Sequence, residues 1–204
     1  VTEPVQGPWS PIWFGDATDG VYLRAGYVDG NSSLVSDQRL DDATIHMILG
    51  GSTGQGKSVT LNSIIYGLCS EYAPWEVSLA LCDAKIVEFK AYALETPLPH
   101  IRSIAATGDS DYLVSVLQSV LDEMNKLQSV FALAGAQKIS EFREKTGLCF
   151  PQHIIIIDEF QTMFMNAKKR KNEIAEILNK IIRLGRNAGY HLILASQELG
   201  SDIT

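Results

Sequence analysis

The clearest chemistry in this chain lies in the eight residues Gly51-Ser52-Thr53-Gly54-Gln55-Gly56-Lys57-Ser58, which have the form G-x-x-x-x-G-K-[ST]. In that pattern glycines let the backbone turn tightly and aim successive N–H groups at phosphate oxygens. The lysine can reach the β- and γ-phosphates of a nucleotide, and the final hydroxyl can ligate Mg2+. The expected cradle is therefore Gly51, Ser52, Thr53, Gly54, Gln55, Gly56, Lys57, Ser58 and Val59, with Lys57 on the phosphates and Ser58 on the metal. An apolar run, Ile45–Leu49, precedes the motif and a helical run, Val59–Cys69, follows it. Phosphates held there would also meet the positive end of a helix. A glycine-rich turn that binds nothing is the bland alternative.

A second constellation ends the run His153-Ile154-Ile155-Ile156-Ile157-Asp158-Glu159. It reads as a buried strand closing on two adjacent acids, at the edge where open α/β sheets place their ligands. Asp158 suits the Mg2+ shell, and Glu159 suits orienting and deprotonating an attacking water. Paired acids at a strand end can also be merely solvated, but the cradle favours the chemical reading. Gln197, delivered to the same edge by Tyr190–Ser196, offers a neutral amide for a γ-phosphate or water; a surface glutamine is the alternative. Arg183 and Arg186 lie just before that strand. Supplied by a neighbouring subunit, such a guanidinium stabilises charge on transferred phosphoryl oxygens, which requires an oligomer. Arginines in a last helical turn also complement the helix dipole, and both readings stay open.

The elements that must position these groups are legible as short apolar runs separated by helical stretches, the pattern of parallel strands with crossover helices. Strands are expected at Ile45–Leu49, Val77–Cys82, Ile101–Ala105, Ile154–Ile157 and His191–Ala195. A helix capped by Asp109 or Ser110 places Leu113, Leu117, Val120, Met124, Leu127 and Phe131 on one stripe, and a second spans 171–184. Residues 1–44 read as a β-rich lead-in, with a ribbon over Val21–Val28 between the turns Asp19-Gly20 and Asp29-Gly30. Residues 45–204 read as the nucleotide-binding unit. The length of 204 residues fits one domain, and 46% apolar with 20% charged residues excludes a disordered class.

No stretch is long and apolar enough to span a bilayer, and no signal pattern opens the chain. The scattered Cys69, Cys82 and Cys149 are expected to be buried thiols in a reducing cytoplasm. A net charge of −7 excludes a surface that binds nucleic acid all over, so any DNA contact must be local.

These motifs resemble the motor domain of the FtsK/SpoIIIE family of additional-strand P-loop ATPases, from about Pro11 onward. The resemblance is carried by Pro11-Ile12-Trp13-Phe14-Gly15-Asp16, by His46 through Ser58, and by Asp83-Ala84-Lys85-Ile86-Val87-Glu88-Phe89. Pro99-His100-Ile101, Glu123-Met124 and Gly185-Arg186-Asn187-Ala188-Gly189-Tyr190-His191-Leu192 complete it. Ala84, Asn125-Lys126-Leu127 and Glu198-Leu199 depart from the family pattern, which favours a conjugative-element or phage relative over a housekeeping pump. The resemblance implies a RecA-like P-loop fold with a mostly parallel sheet, further C-terminal strands after Thr204, ATP and Mg2+ as ligands, and a homo-oligomeric ring, usually hexameric. It implies a cytoplasmic motor whose membrane tether, where there is one, lies outside the segment.

One branch of the family pumps double-stranded DNA; the type VII secretion branch engages exported protein. Lys168, Lys169, Arg170 and Lys171 follow the acidic strand, where the family places a pore-facing loop. Cations at a helix N-terminus oppose its dipole, so local stability does not account for the run, whereas phosphate contact would. A solvated charge run is the alternative. A weaker candidate loop, Gln137–Gly147, carries Lys138, Arg143 and Lys145 diluted by Glu141 and Glu144. A non-hydrolysing scaffold is a third reading, disfavoured by the presence of Lys57, Asp158 and Glu159 together.

Overall fold

The computed structural model describes residues 13–27, 35–52, 54–94 and 98–197. The lead-in forms an antiparallel ribbon of β1 (Val21–Tyr27) and β2 (Val35–Leu40), with an irregularity between Arg24 and Gly26. The main strands are β3 (Met47–Gly50), β4 (Val77–Asp83), β5 (Ile101–Ala106), β6 (Gln152–Asp158) and β7 (Tyr190–Ser196). They pair in parallel in the order β3-β7-β6-β4-β5. This is the expected α/β P-loop architecture. It also has the additional strand: β7 lies between the strand that leads into the phosphate loop and the strand that carries the two acids.

The apolar runs are continuous because the central strands are covered on both faces. All seven residues of β6 are buried. Ile154 and Ile156 face one hydrophobic cluster together with Leu79, Leu81 and Ile193. Ile155 and Ile157 face the other together with Ala80, Cys82 and Leu192, the period-2 alternation of a strand.

The first cluster is closed by α1 (Lys57–Glu71) and the ribbon, with Leu61, Ile64, Ile65 and Leu68 packing against Val21, Leu23 and Leu40. The lead-in therefore shares a core with the unit it precedes. Arg143 joins them too, donating to Thr18 Oγ1 at 2.6 Å and to Glu76 Oε2 at 2.8 Å.

Beyond α2 (Lys90–Leu94), the second face is closed by α3 (Ser110–Leu133) and, past the short helices α4 (Ile139–Thr146) and α5 (Phe160–Asn166), by α6 (Lys171–Ala188). Asp109 caps α3, its carboxylate accepting from the N–H groups of Asp111 and Tyr112. The predicted stripe is buried from Leu113 to Phe131, with Val120 half-buried beside it. The helix expected at 171–184 runs on to Ala188 and stops at Gly189, whose φ of 73° is left-handed. Gly185 lets it lie close to β7, since a Cβ there would stand 2.6 Å from the carbonyl oxygen of Tyr190.

Two expectations are corrected. Gln137–Gly147 is not a loop but contains α4, and its cations are committed to structure: Lys138 to Asp42, Arg143 to Glu76, and Lys145 to the carbonyl of Gly135. Cys69 and Cys82 are buried, and burial pushes both thiols up to about 12, but Cys149 is exposed. The sequence around Cys149 is apolar enough to suggest burial, yet it sits on the surface beside Arg143 and Glu76. Among the described residues no helix is long and apolar enough to cross a membrane.

Candidate functional site

Because the five strands are parallel, their carboxyl ends share one edge, and there the chemistry-bearing residues meet. β3 ends at Gly50, and the N–H of Gly51 donates to the carbonyl of Ser196 at the end of β7, 3.2 Å away. The loop is closed on itself: Gln55 N–H donates to the Ser52 carbonyl and Ser52 N–H to Gln55 Oε1, both at 3.1 Å. Gly54 and Gly56 have φ of 83° and 87°, which an L side chain rarely adopts, and nothing lies within 4 Å of where a Cβ would stand. That is a cradle kept clear of side chains, as a phosphate requires. Gly56 turns the chain directly into α1, so Lys57, Ser58 and the exposed Val59 form its first turn. Thr53 lies outside the described residues.

Lys57 points across the edge to the end of β6. Its ammonium donates to Asp158 Oδ1, and to Glu159 Oε1 at 2.5 Å. All three side chains are buried. Burial works against the charge on Lys57, but the hydrogen bonds and charges of Asp158 and Glu159 outweigh it and raise the pKa. Burial raises that of Asp158, with Glu159 and Asp83 adding to it against the pull of Lys57. Glu159 is held below the usual carboxylate range: burial opposes this, and the hydrogen bonds and charges of Lys57 and Lys85 prevail. Gln161 Nε2 donates to Glu159 Oε2 at 2.5 Å. Gln161 Oε1 is buried without a hydrogen-bond partner among the described residues, as befits a site completed by ligand or water.

Asp83, Lys85, Glu88 and Gln161 were not identified from sequence as part of this site. The carboxylate of Asp83, fully buried at the end of β4, accepts from the backbone N–H groups of Lys85, Ile86, Val87, Glu88 and Phe89 at 2.7–3.3 Å. It moulds 84–89 into a tight turn that brings Lys85 Nζ to 3.3 Å from Glu159 Oε2 and lets Ser58 Oγ donate to Glu88. Asp83 and Asp158 are register partners on adjacent strands, which is why the turn lies beside the acids. The signal was in the sequence as the segment Asp83–Phe89, read there only as part of the family resemblance. Among the described residues only Ile86 (φ 61°) and Glu159 (φ 51°) are non-glycine residues with positive φ, and both flank this site. Such strain persists where surroundings over-determine it, and it clusters at functional positions.

Gln197 follows Ser196 beside the start of the phosphate loop. Arg183 and Arg186 are exposed in the last turns of α6, which lead into the amino end of β7, the edge opposite the cradle. The structure therefore does not bring them to the site of their own chain. The basic run lies at the carboxyl edge, as a 3-10 turn over Lys168–Arg170 leading into α6. Arg170 is accounted for within the fold, pairing with Glu173 and Asp111 at 2.7 Å each. This corrects the view that local stability explains none of the run. Lys169 and Lys171 are exposed.

A parallel sheet with an inserted strand, a glycine cradle and a lysine clasped by two acids define a P-loop nucleotide-binding domain of the additional-strand type. The model of the FtsK/SpoIIIE family matches residues 24–153, and the chain belongs to that family. It is 30% identical over 181 residues to the DNA translocase SftA of Bacillus subtilis, covering 86% of this chain and 18% of the relative. It is 33% identical over 162 residues to a DNA translocase FtsK of Helicobacter pylori, covering 78% of this chain and 18% of that protein. Among solved structures, the cytoplasmic domain of the Thermomonospora curvata type VII secretion ATPase EccC superposes with a TM-score of 0.71 at 25% identity, over 94% of this chain and 23% of that one. The chain thus spans about a fifth of the length of these curated relatives.

Proposed function

We propose that this chain is the ATP-hydrolysing motor portion of a ring that translocates double-stranded DNA. The observation that carries the reading is the meeting of Lys57, Asp158 and Glu159 beside an open glycine cradle. The cradle N–H groups and the α1 N-terminus would hold the phosphates, and Lys57 would exchange its carboxylate partners for phosphate oxygens. Ser58 and Asp158 supply hard oxygen donors of the kind Mg2+ takes, a metal that otherwise keeps waters and substrate phosphates as ligands. Mg2+ would polarise the phosphates. Glu159, freed from Lys57, would accept the proton of the attacking water, with Gln197 at the adjoining strand end to orient it. Arg186, or Arg183, would complete a neighbouring subunit's site, since neither reaches its own.

Duplex DNA as cargo is supported by the curated relatives, named as DNA translocases, and by the exposed Lys169 and Lys171 at the edge that carries the nucleotide site. The likeness to EccC supports a second reading, a secretion motor acting on exported protein. In either case the motor works on the cytoplasmic side, with any membrane tether elsewhere in the protein. The test is ATPase activity of the full-length protein, as a demonstrated hexamer, with and without duplex DNA across a salt series. DNA is expected to stimulate turnover, less so as salt rises, and replacing Lys168, Lys169 and Lys171 by Ala should remove the stimulation. Equal rates with and without DNA would sink the DNA reading. Stimulation by a helical export substrate instead would select the second.

A further inference from the structure

We propose that Lys85 reads the γ-phosphate: on binding of ATP its ammonium group passes from Glu159 to the terminal phosphate, so that this lysine distinguishes ATP from ADP. The inference deepens the proposed function and rests on its reading of the cradle as an ATP site. Lys57 and Lys85 approach the two oxygens of one carboxylate, Lys57 at Oε1 and Lys85 at Oε2. Lys57 is the lysine that the loop pattern assigns to the β- and γ-phosphates. A second ammonium group on the same carboxylate therefore stands at the γ end of the cradle.

The charges point the same way. Lys57 and Lys85 face Asp158 and Glu159, and the neighbouring carboxylates of Asp83 and Glu88 leave these cations no excess of positive charge. A triphosphate adds negative charge that Lys57 and the metal meet in part, and Lys85 is the further cation within reach. Lys85 is 42% exposed and, among the described residues, paired only to Glu159, at 3.3 Å, so its transfer costs little. Glu159 Oε2 then keeps Gln161 Nε2, at 2.5 Å, as its hydrogen-bond donor.

The turn has no need of the Lys85 side chain. Asp83 fixes it through backbone N–H groups, and the buried Phe89 anchors its far end. Yet it holds Ile86 in a left-handed conformation, an unfavourable geometry for a β-branched residue. The result is a rigid mount that carries one cation to one carboxylate. ADP ends one phosphate short of that cation and would leave it on Glu159.

The test is calorimetric titration of the chain with Mg-ATPγS and with Mg-ADP, for the wild type, Lys85→Met and Lys85→Arg. Lys85→Met should weaken Mg-ATPγS binding about tenfold or more, the loss of one charge-assisted hydrogen bond, and change Mg-ADP binding less than about twofold. Lys85→Arg should recover much of the difference. The melting temperature of Lys85→Met should fall only slightly, since Asp83 holds the turn and Lys57 still pairs with Glu159. Equal weakening of both nucleotides, or of neither, overturns the assignment while leaving the ATP reading intact. A wild-type chain that binds neither nucleotide overturns both.

Discussion

Lys57 does two jobs that conflict. As the chain stands it neutralises two buried acids that follow one another in sequence; in the proposed cycle it must leave them for phosphate. Its removal should therefore cost stability as well as binding. Lys57→Met leaves Asp158 and Glu159 buried, with Lys85 on Glu159 as the one remaining paired cation among the described residues, and breaking a buried ion pair from one side costs about 3–5 kcal/mol. Urea unfolding of Lys57→Met should show a loss of that order, and adding Glu159→Gln should restore part of it by removing one uncompensated charge. The sign of that second effect is the informative part, because a lysine that served only the ligand would leave the double variant no more stable than the single one. Glu88 follows the same economy: it holds Ser58 Oγ, the hydroxyl proposed for the metal, in a defined place before any ligand arrives.

The element that joins these residues is the turn after β4, and its energetics can be separated. Asp83→Ala removes one acceptor from five backbone N–H groups at a fully buried position and should lower the unfolding free energy by about 3 kcal/mol or more. Ile86→Gly should leave stability unchanged or raise it by up to about 1 kcal/mol, because relief of the left-handed backbone offsets the greater freedom of glycine when unfolded. Equilibrium denaturation of the two variants decides between them; a large loss in Ile86→Gly would mean that the side chain, not the backbone, secures the turn. The cradle and the acid pair were readable in sequence because each is contiguous and sits at the end of an unmistakable apolar strand. Lys85 and Glu88 were visible as a motif but not as site residues, since the pairing of Asp83 with Asp158 across two strands is tertiary information. The helix α4 escaped for a different reason: it buries only Ile139 and Phe142, one i,i+3 pair, too little to establish a period among its charges. For α6 the reverse holds, with a stripe from Ile174 to Ile181 that fixed its existence, and a C-terminus set by Gly189 rather than by the last apolar residue.

At the scale of the whole molecule, the sheet separates two edges with different duties. Cradle, acids, turn and basic run occupy the carboxyl edge, and the exposed Arg183 and Arg186 the amino side, so any catalytic use of those arginines requires another copy of the chain. The amino side also sets the response to acid. All four histidines have lowered pKa values, with burial the leading cause: His153 at about 3, His191 at about 4, and His46 and His100 below 6.5. His46 accepts from the N–H of Leu192 and lies against the carbonyl of Ile182; His191 bonds the carbonyl of Ile45; His153 stacks on Tyr190 and meets Ser78; His100 meets the carbonyl of Tyr72. Each ring is thus packed neutral where strand beginnings meet their preceding segments. An unfolded chain binds protons at these rings from about pH 6.5 downward, before the folded chain does, so acid favours unfolding. The stability they confer is complete above pH 6.5 and is lost as pH falls toward the folded values, where the loss stops. Unfolding free energies measured by urea at intervals from pH 7.5 to 5 should decline below 6.5, by at most about 1.4 kcal/mol per pH unit for each ring. Replacing both His153 and His191 by Gln should remove at least half of that decline, since these two rings, with folded values of about 3 and 4, stay neutral in the folded chain over the whole range. A wild-type stability that stayed level from pH 7 to 5 would mean that the rings are protonated in the folded chain and that the amino side is open to water rather than sealed.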